Sequence, residues 1–143
     1  GNPYRQDDRA GLVVAERLRQ GTLDCQVESL TVVGFEILEM IRGYERAIIV
    51  DACRFGMAPG TVVEVSVDEL GPVRTSINSH TITRGTALKT GFACFPDEMP
   101  ADIRILLIEV KEISECSQQM SLEVERAMEE VVDRVKTLVA AMA

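Results

Sequence analysis

Two aspartates and the only histidine of the chain are the residues whose types could do chemistry together. Asp8 follows the opening stretch GNPYRQD, Asp51 follows an apolar run at 47–50, and His80 lies in the stretch INSHTIT. Two carboxylates and one imidazole can bind a borderline divalent metal such as nickel or zinc and leave coordination positions open. They could equally position a water molecule near a peptide carbonyl, with a carboxylate as the general base. Their wide separation in the chain leaves open whether they converge.

Each of the three residues also has a purely structural interpretation. Asp8, or Asp7 before it, is a typical N-cap of a helix, and Asp51 could cap the turn that follows its strand. A single histidine is more often a surface or core residue than a metal ligand. The chain holds no H-E-x-x-H, G-x-S-x-G, P-loop or G-x-G-x-x-G motif, which argues against a local zinc site, a serine hydrolase and a nucleotide-phosphate site.

The four cysteines offer an alternative chemistry. The cysteines at 25, 53, 94 and 116 are widely spaced and form no C-x-x-C pair, so they predict neither a zinc knuckle nor a thioredoxin-like motif. Four cysteines in a chain of this length do not make a disulfide scaffold. We interpret them as mostly reduced and buried, as in a cytosolic protein. Cys53 or Cys94 could pair with His80 as a nucleophile, and the chain would then be an unrelated α/β hydrolase that uses a cysteine.

Alternating strand and helix signals supply the elements that must position these residues. Helical periodicity or helix-length stretches predict helices at 8–20, 34–43, 83–95 and 121–142. Apolar or β-branched runs predict strands at 25–30, 47–50, 61–67 and 103–110. This alternation predicts one α/β domain over residues 1–143, a three-layer α/β/α sandwich around a largely parallel, twisted sheet of about five strands. A first strand is expected before Gly1, because Gly-Asn-Pro is typical of the turn that follows a strand.

The predicted sheet places two of the three chemical residues at one edge. In open α/β sheets, ligands gather beyond the carboxyl ends of the strands. Asp51 is predicted directly after the strand that ends at Val50. Asp8 is predicted at the start of the first helix and belongs to the same edge if a strand precedes Gly1. His80 is predicted in a loop before the helix at 83–95.

Charge and hydropathy exclude some classes of partner. The formal net charge of the 143-residue chain is −8. An acidic protein of this kind is not expected to bind nucleic acid or an anionic membrane as its main partner. No uncharged apolar stretch of about 20 residues and no secretory signal is visible, so we expect no membrane span and a cytoplasmic protein. The sequence does not determine the oligomeric state.

Four motifs, in order along most of the chain, resemble those of the hydrogenase maturation proteases. GNPYRQDDRAGLVVAERL resembles their opening motif, in which a strand runs into G-N-P, an acidic pair and a helix. IIVDACRFGMAPGTV resembles their second motif, a strand that ends in Asp-Ala and is followed by Pro-Gly-Thr. SINSHTIT resembles their Ser-x-His loop, and MSLEVERAMEEVV resembles the closing helix.

The resemblance implies an aspartyl endopeptidase-like hydrolase that acts on the large-subunit precursor of a nickel–iron hydrogenase. Such enzymes remove a short C-terminal peptide after nickel has been inserted. Matched motif by motif, the family's metal-contacting residues fall on Asp8, Asp51 and His80, which would be both the metal site and the catalytic site. The nickel would be carried by the substrate and recognised rather than permanently bound. Asp7 would then cap the helix or support Asp8.

An alternative interpretation is that the chain binds the same hydrogenase precursor but does not cleave it. Some relatives encoded with hydrogenases are accessory subunits, so the chain could be a non-catalytic chaperone or accessory protein that binds the nickel-loaded precursor. Formation of a complex without loss of the C-terminal peptide would distinguish this binding protein from a protease.

Overall fold

The chain folds into four helices and three strands within the residues that the structure describes. This computed structural model describes residues 10–21, 25–29, 36–53, 55–70, 79–110 and 122–142, and only the backbone at 10, 70, 79–85 and 142. The elements are α1 (Ala10–Arg19), α2 (Glu36–Ile41), β1 (Arg46–Cys53), β2 (Val62–Val65), α3 (Ser79–Cys94), β3 (Asp102–Glu109) and α4 (Leu122–Met142). Short 3-10 turns follow β2 and α3, at Asp68–Leu70 and Pro96–Glu98.

The strands form a mixed sheet in the order β1-β3-β2. β1 and β3 are parallel, with Val50 opposite Leu106, whereas β2 runs antiparallel to β3. The predicted α/β architecture is therefore confirmed, and the described residues supply three of the about five strands expected. Their sheet is less parallel than predicted, because β1 leads into β2 through a short loop without a helix, and β2 runs antiparallel to the two other strands.

One predicted strand is not part of this sheet. Residues 25–29 are irregular rather than extended in a ladder. Of these residues only Val27 packs against the core, and its carbonyl accepts hydrogen bonds from the side chain of Arg19. A strand needs more apolar contact than this stretch offers. The strand expected before Gly1 stays a prediction, because the sequence begins at Gly1 and residues 1–9 lie outside the described residues.

The sheet is covered on both faces, which gives the predicted three layers. One face packs against α1 and α4 in a cluster that we call the α1/α4 core, and the other packs against α2 and α3 in the α2/α3 core. Residues of β3 alternate between the two: Leu106 and Ile108 belong to the α1/α4 core, and Ile105 and Leu107 to the α2/α3 core. All four are at most 1% exposed, as expected for a central strand covered on both sides.

The closing helix confirms the clearest helix prediction. α4 places Val124, Met128, Val131 and Val135 in the α1/α4 core at a helical spacing of three or four residues. Fully burying a side chain of this size stabilises the fold by roughly 1.5–3 kcal/mol. The opposite face of α4 is charged, and within the described residues no helix is long and apolar enough to cross a membrane.

Candidate functional site

Asp51 lies inside β1 rather than after its end. The strand was expected to end at Val50, but the pairing with β3 continues through Cys53, which stands opposite Glu109. The Asp51 side chain is buried, with 6% of its surface exposed. Ile49 and Cys53, two residues before and after Asp51, belong to the α2/α3 core. Every second residue of a strand points to the same face, so Asp51 faces that side of the sheet. Asp51 is thus near the carboxyl end of a parallel strand, as the proposed site requires.

His80 lies in the first turn of α3, whereas the sequence placed it in a loop before a helix that starts at residue 83. The helix begins four residues earlier because Ser79 follows Asn78, and both residue types favour helix starts. The sequence therefore contains a local signal for this earlier start. The structure describes the backbone of His80 and not its side chain.

Two backbone hydrogen bonds place the end of α3 relative to the sheet. Just beyond its last turn, the backbone carbonyl of Glu98 accepts a hydrogen bond from Gly43, and Ala101 donates to Glu45, directly before β1. The end of α3 therefore lies at the amino ends of β1 and β3. A 16-residue helix is about 24 Å long, so the first turn of α3 is well separated from these amino ends.

Asp8 lies outside the described residues, but the start of α1 is placed. A Cβ atom on Gly11 would lie 3.0 Å from the carbonyl oxygen of Val50 and 3.8 Å from Cα of Asp51. Only glycine allows the helix backbone to approach β1 this closely without a shift of a few tenths of an ångström. The helix that follows Asp8 thus begins beside Asp51.

The described side chains do not complete a metal site. Among them, no group of three or more histidine, cysteine, aspartate or glutamate side chains is placed so that it could hold a metal ion. Asp51 is the one predicted ligand whose side chain is described. The convergence of Asp8, Asp51 and His80 therefore stays a prediction, supported by the positions of α1, β1 and α3.

Glu109 is a buried carboxylate at this edge that sequence reasoning missed. It ends β3 and is 3% exposed. Its Oε1 atom accepts hydrogen bonds from the backbone N–H of Phe55 at 2.8 Å and of Met57 at 3.3 Å. A buried carboxylate needs such partners, because an unpaired charge away from water is strongly unfavourable. One signal could have found it: Glu109 interrupts the apolar run 105–110.

The segment between β1 and β2 ends in a tight turn. Pro59 and Gly60 occupy its centre, Gly60 has a φ of +89°, and the N–H and hydroxyl of Thr61 both donate to the carbonyl of Ala58. These are the residues and the positive φ of a type II turn. A Cβ on Gly60 would also lie 2.6 Å from the carbonyl oxygen of Glu123 in α4. The Pro-Gly-Thr stretch is thus explained by this turn and its contact with α4.

Neither Cys53 nor Cys94 is favoured as a nucleophile paired with His80. Cys53 is completely buried, and burial first, then the charge and hydrogen bond of Glu109, raise its pKa to about 12. It is therefore a thiol at neutral pH, and the thiolate is the reactive form. Cys94 ends α3, whose first turn contains His80, and the two residues are about 21 Å apart along the helix axis. Cys94 and Cys25 are exposed, so the expectation that most cysteines are buried is wrong for these two.

A cavity of about 750 Å³ lies elsewhere, along the outer edge of β1. Residues 45–50 line it together with side chains of α1, α2 and α4. Asp51 is not among the lining residues, so this cavity is not the candidate site.

Comparisons with known proteins agree with the fold. The family model described as hydrogenase maturation protease, HycI, matches residues 22–138. The structure of the hydrogenase maturating endopeptidase HybD from E. coli is similar to this chain with a TM-score of 0.83 and 22% identity, over 100% of this chain and 90% of HybD. The [NiFe] hydrogenase maturation protease HybD from Thermococcus kodakarensis is similar with a TM-score of 0.74 and 25% identity, over 97% and 94% of the two chains.

A third solved structure shows the same likeness. HycI from Thermococcus kodakarensis KOD1, a [NiFe] hydrogenase maturation protease, has a TM-score of 0.71 and 19% identity, over 98% of this chain and 88% of its own. No curated protein sequence matches the chain.

Proposed function

Because this chain belongs to the hydrogenase maturation protease family, we propose that it is an endopeptidase that removes the C-terminal peptide from the nickel-loaded large-subunit precursor of a nickel–iron hydrogenase. Together with the family to which the chain belongs, the proposal depends mainly on the position of Asp51 in the fold. Its buried carboxylate is near the carboxyl end of a parallel strand, beside the start of α1 and on the sheet face that α3 covers.

In this proposal Asp8, Asp51 and His80 contact the nickel that the precursor carries. Two carboxylates and an imidazole suit a borderline divalent ion and leave positions for the precursor's own ligands. A precursor without nickel would lose this binding free energy, so the enzyme would discriminate against it. Asp7, beside Asp8, would hold the first helix and its acid in place.

The same three groups would also promote hydrolysis. Binding through the nickel brings the scissile peptide bond close to the two aspartates, and proximity by itself accelerates a reaction. One carboxylate would act as the general base that takes a proton from the attacking water. The buried setting of Asp51 keeps bulk water away from its carboxylate.

We place this activity in the cytoplasm, with the precursor as the protein partner. Support comes from the cysteines, which are spaced neither as a disulfide scaffold nor as C-x-x-C pairs. The acidic net charge of −8 favours no nucleic acid or anionic membrane as a further partner.

One experiment tests the proposal directly. The chain is incubated with precursor in nickel-loaded and nickel-free form, and the mass of the large subunit is followed by mass spectrometry. We expect loss of the C-terminal peptide only from the nickel-loaded form. A stable complex with an unshortened, nickel-loaded subunit would show an accessory binding protein instead. Cleavage of both forms at equal rates would show that nickel is not recognised.

A further inference from the structure

Glu109 connects the central strand of the sheet to the loop that follows Asp51. Its carboxylate accepts the N–H groups of Phe55 and Met57, and its backbone carbonyl accepts the N–H of Gly60 at 2.8 Å. Its own N–H donates to the carbonyl of Thr61 at 2.8 Å. One residue therefore holds both ends of the segment 55–61, which we call the β1–β2 loop.

The chemistry of a carboxylate suits this task. Hydrogen bonds from backbone N–H groups to an ionised carboxylate are shorter and stronger than those to a neutral acceptor. Both loop amides point to the same oxygen, Oε1, so the loop curls around a single atom of Glu109. With an apolar residue at this position, the two amides would lose their acceptor in a partly buried place.

The held loop borders the candidate site. Phe55 follows Asp51 by four residues, and the side chains of Phe55 and Met57 pack against the α2/α3 core, the same side of the sheet that Asp51 faces. Gly56 and Ala58, which alternate with them, are exposed. The loop thus stands next to Asp51 at the carboxyl edge of the sheet, with an outer surface that carries small side chains.

We propose that Glu109 is a positioning residue for substrate binding, because its carboxylate holds the β1–β2 loop in the shape that receives the polypeptide segment of the precursor beside the nickel. This inference rests on the proposed function. Glu109 touches neither the metal nor the scissile bond in this scheme and acts through the loop. A loop that is ordered in advance binds a peptide more tightly, because less conformational freedom is lost on binding. Glu109 therefore affects KM more than kcat.

The test compares Glu109→Ala and Glu109→Gln with the wild-type chain. Amide hydrogen exchange at Phe55 and Met57 is measured by NMR, with Leu107 in β3 as the internal reference. KM and kcat are then measured on nickel-loaded precursor at a temperature where circular dichroism shows every variant folded. Glu64→Ala and Glu64→Gln are the matched controls, because Glu64 lies on β2 and pairs with Arg104, away from the loop.

We expect Glu109→Ala to exchange both loop amides about tenfold faster and to raise KM about tenfold, with kcat within about threefold of wild type. Glu109→Gln keeps a neutral acceptor, so we expect smaller changes in the same direction. A folded Glu109→Ala protein with wild-type exchange at Phe55 and Met57, or with wild-type KM, would overturn the inference. So would a fall in kcat at unchanged KM.

Two further outcomes are decisive. If Glu109→Ala does not fold, Glu109→Gln decides, and wild-type exchange and KM in that variant would refute the role. A wild-type chain that leaves nickel-loaded precursor intact would refute the proposed function, whatever the exchange rates. A wild-type chain that cleaves, with a Glu109→Ala variant at wild-type KM, would refute the role of Glu109 alone.

Discussion

Cys53 and Glu109 are paired at the carboxyl ends of two parallel strands, and Sγ of Cys53 lies 3.9 Å from Oε1 of Glu109. The thiol is buried and next to a carboxylate, and both surroundings disfavour the thiolate. This pair explains why Cys53, although two residues from Asp51, is not expected to act as a nucleophile. The pair also places the end of β1 next to Glu109, which accepts the hydrogen bonds of the β1–β2 loop.

The Cys53 thiol should make the fold sensitive to alkaline pH. Its pKa is raised from 9.0 to about 12, so it stays protonated in the folded chain while the unfolded chain loses its proton. Its contribution is fully present below pH 9 and is lost as pH rises toward 12, by at most about 1.4 kcal/mol per pH unit. Urea denaturation of wild type and Cys53→Ala across this range measures it, since the variant lacks the group. Equal pH slopes in the two proteins would contradict the prediction.

Cys53 is expected to be dispensable for the reaction. Cys53→Ser should leave processing of nickel-loaded precursor within about threefold of wild type, because the thiolate is not formed at neutral pH. The measurement is the rate of peptide loss per folded molecule. An inactive Cys53→Ser protein that still folds would favour the cysteine hydrolase interpretation.

The three proposed nickel contacts should be individually indispensable. We expect Asp8→Ala, Asp51→Ala or His80→Ala to lower the rate of processing by at least about 10³-fold, since each removes a metal contact and one removes the general base. Asp102→Ala is the control, because Asp102 begins β3 at the opposite, amino edge of the sheet. Its exposed ion pair with Arg104 contributes at most about 1 kcal/mol. Processing by folded Asp51→Ala at the Asp102→Ala rate would exclude Asp51 from the site.

Gly11 should be needed for the close approach of α1 to β1. Gly11→Ala places a methyl group 3.0 Å from the carbonyl oxygen of Val50, so we expect a loss of about 1–2 kcal/mol in the free energy of unfolding. Gly21→Ala, just beyond the other end of α1, meets its nearest atom at 3.6 Å and should change stability by at most about 0.5 kcal/mol. Urea denaturation distinguishes the two. A stabilised Gly11→Ala protein would show that α1 has room at β1.

Gly60 should be needed both for its positive φ and for its close contact with α4, and a substitution at Gly56 measures the effect of the positive φ alone. Both glycines have a φ near +86° to +89°, which costs a residue with a side chain about 1 kcal/mol. Only at Gly60 would the added Cβ meet a neighbour, the carbonyl oxygen of Glu123 at 2.6 Å, whereas Gly56 faces open space. We expect Gly56→Ala to lose about 1 kcal/mol and Gly60→Ala about 3 kcal/mol in the free energy of unfolding. Equal losses would refute the contact with α4.

Much of the fold is predictable because the helices and strands follow from the spacing of apolar residues close together in the sequence. In α4, apolar residues recur every three or four positions, and β3 contains a continuous apolar run. These short spacings by themselves predict which faces of the two elements are buried. The apolar run at 47–50 likewise predicts Asp51 near the carboxyl end of β1, although the strand itself continues through Cys53. α3 begins at Ser79, four residues before the predicted start at Thr83, and the Asn-Ser pair before His80 is of a type that favours helix starts.

The sequence by itself determines three things, because each depends only on residue types and their spacing. These are the candidate residues at positions 8, 51 and 80, the pattern of helices and strands, and the motifs of the family. Only the tertiary structure decided that β2 is antiparallel, that β1 continues past Asp51, and that Glu109 holds the loop beside it. The last contact joins residues 54 positions apart. Such a hydrogen bond forms because two strands pair in one register, and no local pattern in the sequence specifies which register that is.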